Sequence, residues 1–166
     1  MNAFTRLTTL LAWVAAALFV ASGAMLTYEV VARYFFTRPT IWAAELSQLC
    51  LIWGSLIAMA WALAARRHIR VTAVTSLLDR KGQIAFDLFA MLAVALFSGV
   101  VVWKGWAIFF DSFERGRTTG SLLNLPSWVA ELAVPFGFAL LFVQALVEVV
   151  RLVRGEITLS DKVPNE

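Results

Sequence analysis

Residues 7–32 read LTTLLAWVAAALFVASGAMLTYEVVA, a run in which Glu29 is the one charged side chain. A secretory signal needs only about 7 to 15 apolar residues. The small residues Ala21, Ser22, Gly23 and Ala24 resemble a cleavage site behind Arg6, but Met25, Leu26, Val30 and Val31 carry the apolar run past them. That length reads as a membrane span, because about 20 residues cross roughly 30 Å of hydrocarbon as a helix. Residues 41–65, 84–110 and 125–150 meet the same criterion. Hydrophobic residues make up 61% of the chain and charged residues 15%. Soluble core helices seldom stay apolar on every side for so long, and a barrel would show short alternating segments. The fold class is therefore all-α integral membrane, a bundle of four transmembrane helices.

The cations set an orientation. Arg6, Arg66, Arg67, Arg70, Arg80, Lys81, Arg151, Arg154 and Lys162 lie on the side of the termini and the second loop, whereas the first and third loops hold Arg33, Arg38, Arg115 and Arg117. By the positive-inside rule both termini face the cytoplasm. Tyr28, Tyr34, Trp42, Trp106 and Trp128 then lie near the opposite interface, where amphipathic rings settle. Topology thus accounts for the net charge of +3 without a nucleic-acid partner. Between spans two and three, Ile69, Val71, Val74, Leu77 and Leu78 alternate with polar residues at roughly helical spacing. This reads as a short amphipathic helix on the cytoplasmic surface, with an ordinary loop as the alternative. Gly82 would end that segment. Asn124 stands as a possible cap near Pro126, where the fourth helix could begin, and Pro135 with Gly137 predicts a kink within it. The chain reads as a single transmembrane domain over 1–155 with a polar cytoplasmic tail, 156–166.

Little here can carry chemistry. Cys50 is the single cysteine and His68 the single histidine, so an intrachain disulfide, a redox Cys pair, a bis-histidine haem and a histidine-rich metal site are all excluded. No cofactor or metal is expected, and an enzyme is not. Glu29, Glu45 and Glu131 each lie about one turn from the outer end of a span, and Lys104 nearly two turns, within snorkelling reach. Asp87 and Glu148 lie near the cytoplasmic ends. No ionisable group falls at the centre of a span, where an ion relay would need one. The placement favours structural pairing: Arg33 with Glu29 at i,i+4, Glu45 across a short turn from Arg33, and Lys104 with Glu131. Small residues recur at spacing four, as in Gly54, Ala58 and Ala62, in Ala95 and Gly99, and in Ala133 and Gly137. They allow close helix approach, either within the chain or to another protein. Seven Trp and thirteen Phe exceed what two interfacial belts need, leaving many to face lipid or a partner.

The link Arg33-Tyr34-Phe35-Phe36-Thr37-Arg38-Pro39-Thr40-Ile41-Trp42-Ala43-Ala44-Glu45, followed by Leu46, Leu51, Trp53 and then Arg66-Arg67-His68-Ile69-Arg70-Val71, resembles the small membrane subunit of tripartite ATP-independent periplasmic transporters. The Leu125-Pro126-Ser127-Trp128 opening of the last span and the Pro135-Phe136-Gly137 step are similar to that family too. Arg33, Trp42, Glu45 and His68 match its pattern. The chain departs from it at Thr37, where Asn is frequent, at Ala44, where a second acid is, and at Thr72, where Asp is. The resemblance implies a complex of the bacterial inner membrane that imports an organic acid on an ion gradient, usually sodium. A periplasmic substrate-binding protein captures the solute, a large membrane permease subunit carries the substrate and ion sites in an elevator-like movement, and the small subunit packs on its static scaffold. Arg38, Arg115 and Arg117, in the periplasmic loops, would be docking candidates for the binding protein.

Two other functions compete. A self-sufficient small transporter acting as a homodimer demands an acid near the middle of span one, and Glu29 stands too close to the end. An unrelated four-helix membrane assembly protein is the second alternative.

Overall fold

The computed structural model describes residues 3–64, 80–121 and 123–154. They form four helices, α1 (Ala3–Phe35), α2 (Ala43–Ala64), α3 (Arg80–Glu114) and α4 (Trp128–Val153). Each contains a stretch long and apolar enough to cross a membrane: Arg6–Phe35, Ala43–Leu63, Gly82–Glu114 and Trp128–Val153. In hydrocarbon the backbone must satisfy its own hydrogen bonds, which is why helices persist through the β-branched residues and glycines of these runs. The chain is an all-helical membrane protein with four spans. The expected amphipathic segment around residues 69–78, His68 and the tail 156–166 lie outside the described residues. One boundary differs from expectation: α3 already begins at Arg80, so Gly82 stands inside it instead of ending the preceding segment.

The helices form an open row, not a closed bundle. α1 packs on α2, α2 on α4 and α4 on α3, so α1 and α3 stand at opposite ends with no substantial packing between them. Burial follows that order. Within the spanning windows of α2 and α4, 28% and 39% of residues are buried, against 11% in each of α1 and α3. The end helices, at 33 and 35 residues, are about 50 Å long at 1.5 Å per residue, well beyond the hydrocarbon thickness, so they tilt or project into the headgroups.

A glycine lies at each seam of the row, and only at the α2–α4 seam does the packing leave no room for a side chain. A Cβ on Gly54 would lie 3.4 Å from the Ala15 carbonyl oxygen of α1, and one on Gly99 3.5 Å from the Phe142 ring of α4. On Gly137 it would lie 2.6 Å from Leu56 Cβ and 2.9 Å from the Leu56 carbonyl oxygen of α2. These three small residues therefore serve packing within the chain. α4 runs unbroken through Pro135. The proline ring packs on Gly105 of α3, where an added Cβ would meet it at 3.3 Å. Farther in, Leu63 of α2, Ala95 of α3 and Leu141 and Ala145 of α4 form an apolar core flanked by Met59, Phe138 and Phe142.

Candidate functional site

The end of α1, the starts of α2 and α4 and the last turns of α3 carry the charged groups singled out above, and their arrangement starts at Glu29. Four residues separate Glu29 from Arg33, which places both on one face of the last turns of α1. The Arg33 guanidinium donates from Nε at 3.1 Å and from Nη2 at 2.6 Å to one carboxylate oxygen. The chain then turns back on itself. The Arg38 N–H reaches the Ala32 carbonyl at 3.1 Å, satisfying one of the carbonyls orphaned by the helix end. The Thr40 N–H donates to the other Glu29 oxygen at 2.8 Å, and the Thr40 hydroxyl donates to it as well. Tyr28 stacks on Trp42 with ring centroids 6.0 Å apart. Glu29 is 5% exposed. One buried carboxylate and one ring pair thus pin the link between α1 and α2 against α1.

The reversal places Thr37 at φ 51°, the left-handed region where a β-branched side chain costs about 1–2 kcal/mol. Asparagine tolerates that conformation because its side chain bonds locally. Thr37→Asn is expected to stabilise the chain by about 1 kcal/mol, whereas Thr37→Val, still β-branched, should give no gain. Melting of the detergent-solubilised chain checks both, and equal midpoints for the two variants would refute the backbone argument.

Glu45 and Glu131 occupy the first turns of α2 and α4, where the helix dipole favours a negative charge. Each has one carboxylate oxygen, Oε2, buried without a hydrogen-bond partner among the described residues. The expected neighbours do not reach them. Arg33 spends its guanidinium on Glu29, and Lys104 makes no ion pair with Glu131. Gly105 of α3 faces Pro135 of α4, so Lys104, about 100° around the helix, is turned away from that contact and is exposed. The depths are comparable; the faces are not. Between the two acidic turns, the Trp53 indole donates to the Val129 carbonyl at 3.1 Å and ties α2 to the start of α4.

Arg115 and Arg117 converge on Asp111. Arg115 Nε lies 2.6 Å from Oδ1 and Arg117 Nη2 2.8 Å from Oδ2. The loop they open is closed by backbone bonds from Thr119 N–H to Leu125 O at 2.9 Å and from Ser127 N–H to Arg117 O at 3.0 Å. Asn124 does not cap α4. It takes a left-handed turn at φ 51°, and Ser127 stands at the N-cap without a side-chain bond. Phe109 and Phe113 meet the edge of Trp128 at 6.3 and 5.8 Å, fastening this loop to the start of α4. Arg38 lies exposed in the first link.

One polar cluster escapes the sequence reading. Gln144, inside the fourth span, donates to Glu148 at 3.1 Å, and Arg151 donates to the same oxygen at 3.2 Å. Gln144 and Glu148 are both 2% exposed. Their spacing of four residues, followed by a base three residues on, was the available signal. A concavity of about 470 Å³ opens between α1 and α2 beside Trp13, Phe19 and Trp61, with Thr9 its one hydroxyl. It offers no charged group for an anionic solute. Among the described residues no group of three or more His, Cys, Asp and Glu could hold a metal ion.

The comparisons agree with this architecture. Residues 22–155 match the profile of the family described as tripartite ATP-independent periplasmic transporters, DctQ component. The C4-dicarboxylate TRAP transporter small permease protein DctQ of Rhodobacter capsulatus is 29% identical over 101 residues, 61% of this chain and 44% of that protein. The sialic acid TRAP transporter small permease protein SiaQ of Vibrio cholerae is 26% identical over 89 residues, 54% of this chain and 51% of that protein. The sialic acid TRAP transporter permease protein SiaT of Haemophilus influenzae is 24% identical over 100 residues, 60% of this chain and 16% of that protein. The matched stretch spans about half or less of each relative's length. With most of its length under the family profile and four apolar helices in place, the chain belongs to the DctQ component family, the small membrane subunit of tripartite ATP-independent periplasmic transporters.

Proposed function

We propose that this chain is the static accessory subunit of a secondary transporter of the bacterial inner membrane, packed against a large permease and working with a periplasmic substrate-binding protein. The observation that carries the reading is the placement of charge. The acids of the described spans lie in the end turns or are held by neighbours on their own helix, as Glu29 is by Arg33 and Glu148 by Gln144 and Arg151. An ion or proton relay needs exchangeable groups near the midplane, and this arrangement supplies locks instead. The open row supports the same reading, because a chain that leaves both end helices mostly unburied has surface for a partner. The Haemophilus influenzae permease protein contains a similar segment within a much longer chain, which favours physical association with a permease. The two small-permease relatives are named for C4-dicarboxylates and sialic acid, both carboxylates, so the proposed cargo is an organic acid. Sodium is the proposed coupling ion, following the family resemblance.

The test is co-expression of the tagged chain with its genomic neighbours, extraction in mild detergent and mass spectrometry of what remains bound. A large permease in fixed ratio supports the reading. The chain recovered alone as a homo-oligomer, or gradient-driven uptake of an organic acid by the chain reconstituted alone, would defeat it.

The proposed orientation places both termini in the cytoplasm. A cysteine introduced as Thr118→Cys, at an exposed loop position, should react with an impermeant maleimide from the periplasm. Ser76→Cys should react only from the cytoplasm. The reverse pattern would invert the topology.

A further inference from the structure

Of the two end helices of the row, only α3 puts a charge on its exposed face away from the end turns of its span. On α1, residues 7–32 hold a single charged side chain, Glu29, and it is buried and paired. On α3, Lys104 is exposed. Its depth is fixed by its neighbour, because Gly105 packs on Pro135, seven residues into α4 and so about 10 Å along the axis from Trp128.

Among the described residues nothing neutralises this cation. Lys104 makes no ion pair with a described residue. The nearest acid outward on its own helix is Asp111, two turns away and already shared by Arg115 and Arg117. Helical side chains lean toward the helix N-terminus, and α3 runs outward in the proposed orientation, so the ammonium leans away from the outer surface it would have to reach. One turn away on the same face, Val100 and Ile108 are 54% and 55% exposed.

We propose that this face of α3 docks the large permease, with Lys104 meeting a carboxylate on a transmembrane helix of that subunit. A charge in an apolar setting is stable when paired, and no described residue of this chain supplies the matching group. The proposal rests on the accessory-subunit reading and adds the face and the chemistry of the contact. It leaves α1, at the other end of the row, to lipid.

The experiment uses the full chain co-expressed with the large permease, carrying a photo-crosslinking phenylalanine analogue in place of Val100, Ile108 or, on α1, Val20. Irradiation should join the two α3 positions to the permease and Val20 to no protein. In parallel, Lys104→Glu should lower the co-purified permease roughly tenfold while Lys104→Arg keeps it, since reversing a charge at a matched contact is more damaging than moving it slightly. Lys104→Met, which inserts without a charge, should fall between them. Cross-links from Val20 alone would overturn the choice of face and leave the accessory reading intact. Cross-links from α3 with permease recovery unchanged in Lys104→Glu would overturn the carboxylate contact and show the cation satisfied by lipid headgroups. Failure of the unsubstituted chain to retain any permease would instead defeat the accessory reading itself.

Discussion

Gly137→Ala is expected to destabilise the chain by about 3 kcal/mol, near the upper end of what overpacking usually costs. The cause is the identity of the atoms in the way. The new methyl would stand 2.6 Å from Leu56 Cβ, 2.9 Å from the Leu56 carbonyl oxygen and 3.1 Å from its carbonyl carbon. A flexible side-chain tip could rotate aside, but these atoms belong to the body of α2 and move only with the helix. Separating α2 from α4 would also stretch the Trp53 to Val129 hydrogen bond, 3.1 Å in length, that ties them farther out. Gly23→Ala is the control, because a Cβ there meets nothing within 4 Å. It should be neutral or gain up to about 1 kcal/mol from helix propensity. Unfolding of the detergent-solubilised chain, followed by loss of helical signal, measures both. Equal stability of the two variants would mean that α2 and α4 can part freely, and the row would lose its central seam.

That seam also marks what a sequence of this kind conceals. Spans are legible because length and apolarity suffice to name them, and the four runs read from the chain correspond to α1–α4. Which face of each span packs is not legible. A helix apolar on every side carries no amphipathic stripe, and in lipid the packing faces are selected by shape rather than polarity. The sequence therefore marks Gly54, Gly99 and Gly137 as points of close approach without saying what approaches, and it reads as a bundle where the structure has a row. The Lys104–Glu131 pair failed for a related reason. Position along a sequence gives depth, but the rotation of α3 that turns Gly105 toward Pro135 and Lys104 away from it depends on tertiary contact. The spacing of Glu29 and Arg33 is visible in the chain. Thr40, eleven residues from Glu29, joins them only because the link reverses through a left-handed Thr37, a conformation that residue type argues against. Glu148 is visible in the sequence as an acid near a span end, but its pairing with Gln144 is hidden among apolar neighbours, although a buried amide beside an acid is what such surroundings require of a polar group.

Glu29→Ala should be the most damaging single change in the link between α1 and α2, and more damaging than Arg33→Ala. The two residues share a salt bridge but not a burden. Glu29 is buried and accepts from Arg33 and from both the backbone and the hydroxyl of Thr40. The Arg33 side chain is 57% exposed, so its charge returns to water when the pair is broken. With Arg33 gone, Thr40 still holds the carboxylate and the link keeps its course. With Glu29 gone, the Thr40 N–H loses its acceptor, Arg33 loses its anchor, and the segment that delivers the chain to Ala43 and the first turn of α2 is released from α1 together. Glu29→Gln should fall between the two, since an amide retains one accepting oxygen but turns donors toward Arg33 or Thr40. Melting midpoints of the purified chain, and the amount of permease it retains, should both rank Glu29→Ala lowest. Arg33→Ala equal to or below Glu29→Ala would show that the guanidinium, not the reversal of the link, is what the carboxylate serves. Whatever complex survives in Glu29→Ala should keep the ion dependence of the unsubstituted transporter, because a carboxylate saturated by its own neighbours has no lone pair free for a travelling cation. A changed ion dependence would move Glu29 from architecture to transport.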